Sequence, residues 1–249
     1  MMQKRDMRGI VLCAGRGGRL SPFTDLTPKC LLSFGGKTIL ERCLEGLRSA
    51  GIGEILLVTG YHRELIERFV RDRGIEGIVF VVNEAYARTN TAVSLNLALK
   101  RVSSDVVVVN GDVLFHPSIL AELVALPVSH GAAVDADISM DGEEVKVIVR
   151  GGRIVRIGKD LNPKDSLGEA IGLYKIGRES IADLIRIYDG LEAKGEREHF
   201  FEKGFDILNG KDAGEDRSFG VFLTRGRPWV EIDTPEDYRH AERDIAPRL

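Results

Sequence analysis

Short runs of β-branched residues alternate with amphipathic helical patterns through the first half of the chain, and this alternation leaves few folds open. Two helices are predicted at Ile39–Ala50 and Arg63–Arg73, because each places its apolar residues on one face. The strands are predicted near Ile10–Ala14, Glu54–Thr59, Ile78–Val82 and Val106–Val109. This order is typical of a mostly parallel sheet that is covered by helices.

The pattern changes near Gly131, after which short strands follow one another through tight turns, including a glycine pair at Gly151-Gly152. Further strands are predicted at Ala132–Ile138, Val145–Arg150, Arg153–Ile157, Glu169–Ile176 and Val221–Thr224, and further helices at Ser180–Lys194, Arg197–Leu208 and Thr234–Asp244. We therefore expect an α/β fold whose mostly parallel sheet carries a small antiparallel extension.

Composition excludes several classes of function. The chain has 249 residues and a net charge of -3, which offers no general attraction to nucleic acid or to acidic membranes. Its three cysteines include no C-x-x-C pair, so a reduced interior is expected rather than a disulfide framework. No apolar stretch reaches membrane-spanning length, and the one after the basic Met1–Arg8 segment is too short for an export signal. We expect a cytoplasmic protein.

A glycine-rich turn follows the first predicted strand, in the sequence Ala14-Gly15-Arg16-Gly17-Gly18-Arg19. Glycines at three of four positions allow positive φ and leave backbone amides bare for anionic oxygens. Arg19 and the later Lys29 add positive charge within reach of this turn. The pattern predicts a phosphate-binding loop, although glycine also suits any strand-to-helix turn. The predicted nucleotide contacts in this loop are Ala14, Gly15, Gly17 and Gly18.

Two better-known phosphate motifs do not fit. The dinucleotide pattern G-x-G-x-x-G requires a third glycine where the chain has Leu20. Gly36-Lys37-Thr38 imitates the end of a P-loop, but the glycine required five positions before Gly36 is Leu31. The loop is therefore of another kind.

Two aspartates stand just beyond predicted strands. Asp112 follows the valine run through Asn110-Gly111, and Asp233 lies in a second acidic segment that precedes the last predicted helix. Open α/β sheets bind ligands at such strand ends, and Mg²⁺ prefers oxygen ligands from separate elements. Each aspartate alone would suit a cap, but together they predict a magnesium site.

The loop resembles the signature of the nucleotidyltransferases that activate phosphorylated small molecules, the choline-phosphate and sugar-1-phosphate group. Their pattern is close to L-A-A-G-x-G-[ST]-R-L-x-P-x-T…P-K-x-L, and this chain departs from it at Cys13 and Gly18. The resemblance implies a Rossmann-like fold of the nucleotide-diphospho-sugar transferase type, with one domain over residues 1–249. Within it, residues 9–130 would form the nucleotide-binding core, 131–230 the substrate-binding extension, and 231–249 the metal-ligand segment and last helix.

The resemblance also implies a reaction. A phosphate oxygen of the substrate attacks the α-phosphorus of a nucleoside triphosphate and pyrophosphate leaves, which depends on positioning and charge neutralisation. Asp112 and Asp233 match the aspartates that hold the metal in this family. Arg19 would stabilise the leaving phosphates, and Lys29 the α-phosphate and the incoming phosphate.

The segment Asn83–Leu95 is similar to N-x-x-Y…N-[NT]-x-x-S-[LIF], found in choline-phosphate and aminoethylphosphonate cytidylyltransferases. The resemblance implies nucleotide or substrate contacts by Asn83, Asn90, Thr91 and Ser94. Capping of a helix by Thr89 or Asn90 is the alternative, and one residue can do both.

Three later segments are similar to substrate-binding elements of the choline-phosphate branch, G-E-x-I-G, Y-Y-E and W-x-E-I-D-T-P-E-D. The substrate contacts that this implies are Glu169, Tyr174, Phe201, Glu202, Trp229 and Glu231. Aromatic rings beside carboxylates suit a quaternary or primary ammonium, although aromatic residues that fill a core would look the same. His199-Phe200-Phe201 and Lys203 depart from the branch.

The resemblance therefore implies a magnesium-dependent cytidylyltransferase acting on CTP and a phosphocholine-like substrate, in a chain that could be a homo-oligomer. The alternatives are a sugar-1-phosphate or inositol-1-phosphate nucleotidyltransferase and an aminoethylphosphonate cytidylyltransferase. Asp135-Ala136-Asp137 suggests a rival from another class, the D-x-D of a nucleotide-sugar glycosyltransferase. A catalytically silent regulatory subunit that keeps a nucleotide pocket is a further alternative.

Overall fold

Valine-rich strands form the centre of the molecule, which we describe from a computed structural model for residues 6–140, 142–210 and 219–249. The first half contains β1 (Met7–Cys13), β2 (Ser33–Phe34), β3 (Lys37–Thr38), α1 (Ile39–Ser49), β4 (Ile55–Thr59), α2 (Arg63–Asp72), β5 (Ile78–Val82), α3 (Thr91–Leu99), β6 (Asp105–Asn110), β7 (Val113–Phe115) and α4 (Pro117–Ala125). The second half contains β8 (Gly131–Asp135), β9 (Lys146–Arg150), β10 (Arg153–Gly158), β11 (Gly168–Ile176), α5 (Ile181–Ala193), α6 (Glu202–Gly210), β12 (Phe219–Leu223), β13 (Trp229–Glu231) and α7 (Pro235–His240).

In the described part of the chain, nine strands form one sheet in the order β5-β4-β1-β6-β11-β8-β12-β10-β9. The strands from β5 to β6 are all parallel, whereas β11 joins β6 and β8 in antiparallel pairs. The first residues of β11 also pair with β9, so the sheet curls back on itself at this end. The predicted α/β fold with a mostly parallel core is confirmed, and the antiparallel extension is continuous with that core.

Strand alternation sends successive side chains of β1 to opposite faces of the sheet. Val11 belongs to the apolar layer that packs with α1, α2 and α4, while Ile10 and Leu12 belong to the layer that packs with α3, α5 and α6. No helix in the described ranges is both long and apolar enough to span a membrane.

Several predicted boundaries were wrong. Residues 197–201 are not helical, because their backbone is bound to the start of α3 instead: Asn90 N–H donates to Arg197 O at 3.0 Å. The strand predicted over Ala132–Ile138 ends at Asp135, and the last helix changes to a wider turn over Ala241–Ile245. Helix α4 and the short pair β7 and β13 were missed.

Candidate active site

A short antiparallel ladder brings the two predicted metal ligands together. In it, β7 pairs with β13 so that Val113 lies opposite Glu231. Beyond the ladder, Ile232 N–H donates to Asp112 O at 2.9 Å. Asp112 and Asp233, separated by more than a hundred residues, therefore reach the same end of the sheet.

Lys29 lies between these two aspartates. Its ammonium nitrogen is 3.1 Å from Asp112 Oδ2 and 2.6 Å from Asp233 Oδ1. On the other side, Arg19 donates to Asp233 Oδ2 at 2.5 Å. Carboxylate oxygens of Asp112, Glu231 and Asp233 lie within 4.8 Å of one another. Three oxygen donors at this spacing are the ligand chemistry that Mg²⁺ favours.

The charged side chains of this group shift one another's pKa values. Burial lowers the pKa of Lys29, but the charges of Asp112 and Asp233 outweigh it and hold that pKa above its ordinary value. Burial raises the pKa of Asp233, but Lys29 and Arg19 outweigh it and leave the pKa lowered. For Glu231, burial followed by repulsion from the two aspartates outweighs the charge of Lys29 and raises the pKa well above the ordinary value. A divalent cation would relieve this repulsion.

The predicted phosphate loop leaves β1 and is anchored beside Lys29. Gly17 adopts a φ of +65°, which residues with a side chain rarely adopt, and a Cβ there would lie only 3.0 Å from Lys29 Cε. Both features require glycine at this position. Thr24 donates its hydroxyl hydrogen to Gly17 O at 2.7 Å, which holds the turn. The amides of Gly15, Arg16 and Gly17 have no backbone acceptor among the described residues. They are free to bind an anion.

This loop forms one end of a solvent-open cleft of about 220 Å³. The predicted residues that line the cleft are Ala14, Gly15, Arg19, Asn83, Asn90, Thr91, Ser94, Asp112, Glu169, Phe201, Glu202, Glu231 and Asp233. Lys29 and Gly17 line a smaller adjoining cavity with Asp112, and Gly18 is exposed in the same loop. We call the part around Gly15–Arg19, Lys29, Asp112 and Asp233 the loop end.

The segment after β5 forms a side wall of the cleft through a buried hydrogen-bond network. The Asn83 amide donates to Ser94 Oγ at 3.0 Å and to Thr89 Oγ1 at 3.1 Å. Asn90 caps α3 by accepting from Thr91 N–H at 2.8 Å. The capping alternative is therefore present in the structure, and the same residues also line the cleft.

Glu169, Glu202, Asn110, Phe200 and Lys159 also line the cleft, and we call this part the carboxylate end. Burial raises the pKa of Glu169 to about 7, with further repulsion from Glu144 and Asp135. Burial likewise raises the pKa of Glu202 to about 7, against the lowering effect of its hydrogen bonds. The cleft thus holds carboxylates that lack sufficient compensating positive charge.

Two residues predicted to contact the substrate do not line the cleft. Tyr174 is fully buried behind its wall, where the phenol donates to Glu202 Oε1 at 2.9 Å. The Trp229 indole N–H donates to Asp135. Tyr174 can therefore act on a ligand only through Glu202. Asp135, the first aspartate of the D-x-D sequence, does not line the cleft either.

Sequence reasoning missed several residues of the cleft, among them Asn110, Lys159, Phe200, Tyr86 and Glu143. Lys159 stands just after β10, and its ammonium is 4.5 Å from the centroid of the Phe200 ring. Asn110 is the last residue of β6. Position immediately after a strand was the signal used for Asp112, and it would also have identified Lys159.

Comparison with known proteins finds a match between residues 9–159 and the model of the MobA-like NTP transferase domain. A CTP:phosphoglutamine cytidylyltransferase of Campylobacter jejuni is 28% identical over 75% of this chain and 79% of its own length. A bifunctional IPC transferase and DIPP synthase of Rubrobacter xylanophilus is 31% identical over 94% of this chain. The chain spans about half, 51%, of that second relative.

Solved structures give the same fold. The inositol-1-phosphate CTP transferase of T. maritima aligns with a TM-score of 0.74 and 26% identity, over 92% of this chain and 90% of its own. A CTP:phosphocholine cytidylyltransferase of Streptococcus pneumoniae aligns with a TM-score of 0.76 and 23% identity, over 96% of this chain and 98% of its own. At 23% identity, the similarity to this cytidylyltransferase supports the fold alone.

Proposed function

The chain belongs to the MobA-like NTP transferase family of nucleotidyltransferases, and on that premise we propose that it transfers CMP from CTP to a phosphorylated small molecule with a positively charged group. The acceptor would resemble phosphocholine in carrying both a phosphate and a cationic nitrogen. Pyrophosphate is the second product.

One observation supports this proposal more than any other: a single cleft joins a cationic glycine loop to a group of buried carboxylates. The loop end offers free amides, Arg19 and Lys29 to phosphates. The carboxylate end offers Glu169 and Glu202, which are 8% and 3% exposed. A molecule with phosphate at one end and a cationic nitrogen at the other complements both.

The residues at the loop end fit a magnesium ion. Asp112 and Asp233 would hold it, and the neighbouring Glu231 adds a third oxygen at compatible spacing. When bound, Mg²⁺ would neutralise charge on the triphosphate and polarise the phosphate that is attacked. Lys29 and Arg19 already contact these carboxylates, so the metal and the two cations would act on the same group of phosphates.

The protein's own residues then position the reacting atoms. An oxygen of the acceptor phosphate forms a bond to the α-phosphorus of CTP, and the bond from that phosphorus to the β-bridging oxygen breaks. The loop amides and Arg19 stabilise the negative charge on the departing pyrophosphate, while Lys29 stabilises the α-phosphate. Lys159, across the cleft, supplies a cation for the acceptor phosphate. No protein nucleophile is required.

An inositol-1-phosphate acceptor is the second candidate, because a solved structure named for that activity is 26% identical over 92% of this chain. Hydroxyl groups could also donate hydrogen bonds to Glu169 and Glu202. The carboxylates favour a cation over a neutral polyol, since burial raises the pKa of both to about 7 although the charge of Lys159 opposes it.

The test is pyrophosphate release with each of four nucleoside triphosphates against phosphocholine, phosphoethanolamine, inositol-1-phosphate and glucose-1-phosphate. We expect Mg²⁺-dependent release with CTP and a phosphorylated amine. Turnover with inositol-1-phosphate or a hexose phosphate alone would overturn the cationic acceptor. A nucleotide-sugar glycosyltransferase would transfer sugar without releasing pyrophosphate, and a silent subunit would bind nucleotide without turnover.

A further inference from the structure

Among the described residues that line the cleft, two have a buried side-chain oxygen with no hydrogen-bond partner. These atoms are Glu202 Oε2 and Asn110 Oδ1. Glu202 is 3% exposed, and its other oxygen is already engaged by the Tyr174 phenol at 2.9 Å. A buried acceptor without a donor costs free energy that a ligand donor can recover.

The neighbourhood of Asn110 shows that its side chain has a reserved place. Gly172 lies beside it in β11 with a φ of +79°, and a Cβ there would come within 2.8 Å of Asn110 Nδ2. Any larger residue at 172 would push the amide aside. The side chain of Asn110 therefore has a fixed place among the residues that line the cleft.

The aromatic residues of the described cleft do not form a box for a quaternary ammonium. Phe201 is fully buried, and its ring packs edge-on against Tyr174 at 5.2 Å and lies 5.3 Å from Phe205. The Phe200 ring already has the Lys159 ammonium at 4.5 Å. The Tyr86 ring packs edge-on against Tyr61, with 6.2 Å between centroids, and Tyr61 in turn contacts Arg16 of the phosphate loop. Quaternary ammonium groups are recognised mainly through aromatic faces.

We propose that the acceptor carries a primary ammonium, which donates hydrogen bonds to Glu202 Oε2 and Asn110 Oδ1. This inference rests on the proposed function and narrows it. A quaternary ammonium matches the charge of Glu202 but has no N–H to give to either oxygen. A phosphate ester and a phosphonate of the same amine present the same nitrogen, so both belong to the proposed class.

A methylation series separates charge from hydrogen bonding. Phosphoethanolamine and its mono-, di- and trimethyl derivatives keep the positive charge while the number of N–H donors falls to none. We expect the kcat/KM for CTP-dependent pyrophosphate release to fall along the series, about 10- to 100-fold in total. 2-Aminoethylphosphonate serves as the phosphonate arm and should be turned over like phosphoethanolamine.

Variants of Glu202 and Asn110 test whether these two residues produce the preference for phosphoethanolamine over phosphocholine. Glu202→Gln should reduce the preference for phosphoethanolamine over phosphocholine about 10-fold or more, and Asn110→Ala should reduce it by less. A cooperative melting transition shows that both variants are folded. Tyr174→Phe tests a positioning role, because it should weaken the preference while leaving the Glu202 charge in place. Glu122→Gln, at a carboxylate paired with Arg227 outside the cleft, is the matched control.

Two results would overturn the inference and leave the proposed function standing. One is a higher kcat/KM for phosphocholine than for phosphoethanolamine in the wild-type protein. The other is an unchanged preference in Glu202→Gln. Turnover with CTP and inositol-1-phosphate but with none of the amines would instead overturn the proposed function itself, so the two failures are distinct.

Discussion

The loop end and the carboxylate end of the cleft hold their carboxylates in opposite electrostatic environments. At the loop end, Asp233 accepts hydrogen bonds from Lys29 and Arg19, and its pKa is lowered although burial opposes this. At the carboxylate end, burial raises the pKa of Glu169 and Glu202 to about 7. In the first region the protein's own cations outweigh burial, whereas in the second the charge of Lys159 does not, so a cationic ligand would be favoured there.

This difference in electrostatic environment explains how one cleft can bind two phosphorylated molecules in a fixed direction. Cations of the protein attract phosphates, and buried carboxylates repel them. A triphosphate is therefore directed towards the loop, and the cationic part of an acceptor towards Glu169 and Glu202. The four predictions below test this contrast.

The largest effect is expected from Asp112→Asn, because it removes a negatively charged oxygen donor of the proposed metal site. Mg²⁺-dependent turnover should fall at least about 1000-fold, with an unchanged melting profile. Pyrophosphate release across a magnesium titration measures this. Asp137→Asn is the control, since Asp137 is exposed outside the cleft. Near-normal activity of Asp112→Asn would remove the metal site from the loop end.

Gly17→Ala should weaken the loop end without changing any charge. The residue has a φ of +65°, and a new Cβ would lie 3.0 Å from Lys29 Cε. Strain of about 1 to 2 kcal/mol would shift the loop, and the KM for CTP should rise about 10-fold. Gly53→Ala is the control, because a Cβ there meets nothing within 4 Å. Equal KM values for the two variants would show that the loop conformation does not matter for CTP.

Glu202→Gln should stabilise the ligand-free protein at pH 8 but not at pH 5. The native state keeps the Glu202 proton up to a pKa of about 7, above the ordinary value of 4.5, so stability falls as pH rises between these values. Glutamine cannot ionise, so about 3 kcal/mol is expected at pH 8. Chemical unfolding at the two pH values measures it. A variant that is less stable than the wild type at pH 8 would contradict the environment described for the carboxylate end.

Phe200→Leu should have the smallest effect. The ring is 42% exposed, and its clear polar contact is the Lys159 ammonium, worth about 0.5 to 1 kcal/mol. We expect kcat/KM to fall about 2- to 5-fold with both phosphoethanolamine and phosphocholine. A loss of more than 100-fold that is confined to phosphocholine would show that an aromatic face recognises the acceptor.

Local sequence patterns were sufficient to predict the glycine-rich turn and Asp112 at the loop end. The turn Gly15–Arg19 follows an apolar strand directly, and Asp112 follows another within three residues. Such features depend on neighbours in the chain, so the pattern predicts both the strand and what stands at its end. The same reasoning placed Asn90 at the start of α3, where its side chain accepts from Thr91 N–H.

The carboxylate end was harder to predict from the sequence, because contacts between distant segments create it. Glu202 begins α6 only because residues 197–201 are bound to α3 instead of extending the helix. Lys159 enters the cleft because β9 and β10 pair at the curled edge of the sheet. Tyr174 has the pattern of a binding residue, yet β11 directs it into the core. Burial of this kind depends on which face of a strand is covered, and no local pattern shows that.

The sequence by itself determined the family, the parallel core and the loop that is suited to phosphates, since glycine conformation and strand periodicity are local properties. Only the tertiary structure decided that Glu231 joins Asp112 and Asp233, and that Glu202 and Asn110, which line the cleft, each keep a buried oxygen without a hydrogen-bond partner. The spacing of residues along the chain determines which of them share one face of a helix or strand. The burial of a polar side chain and its hydrogen-bond partners depend instead on the distant segments that pack against it.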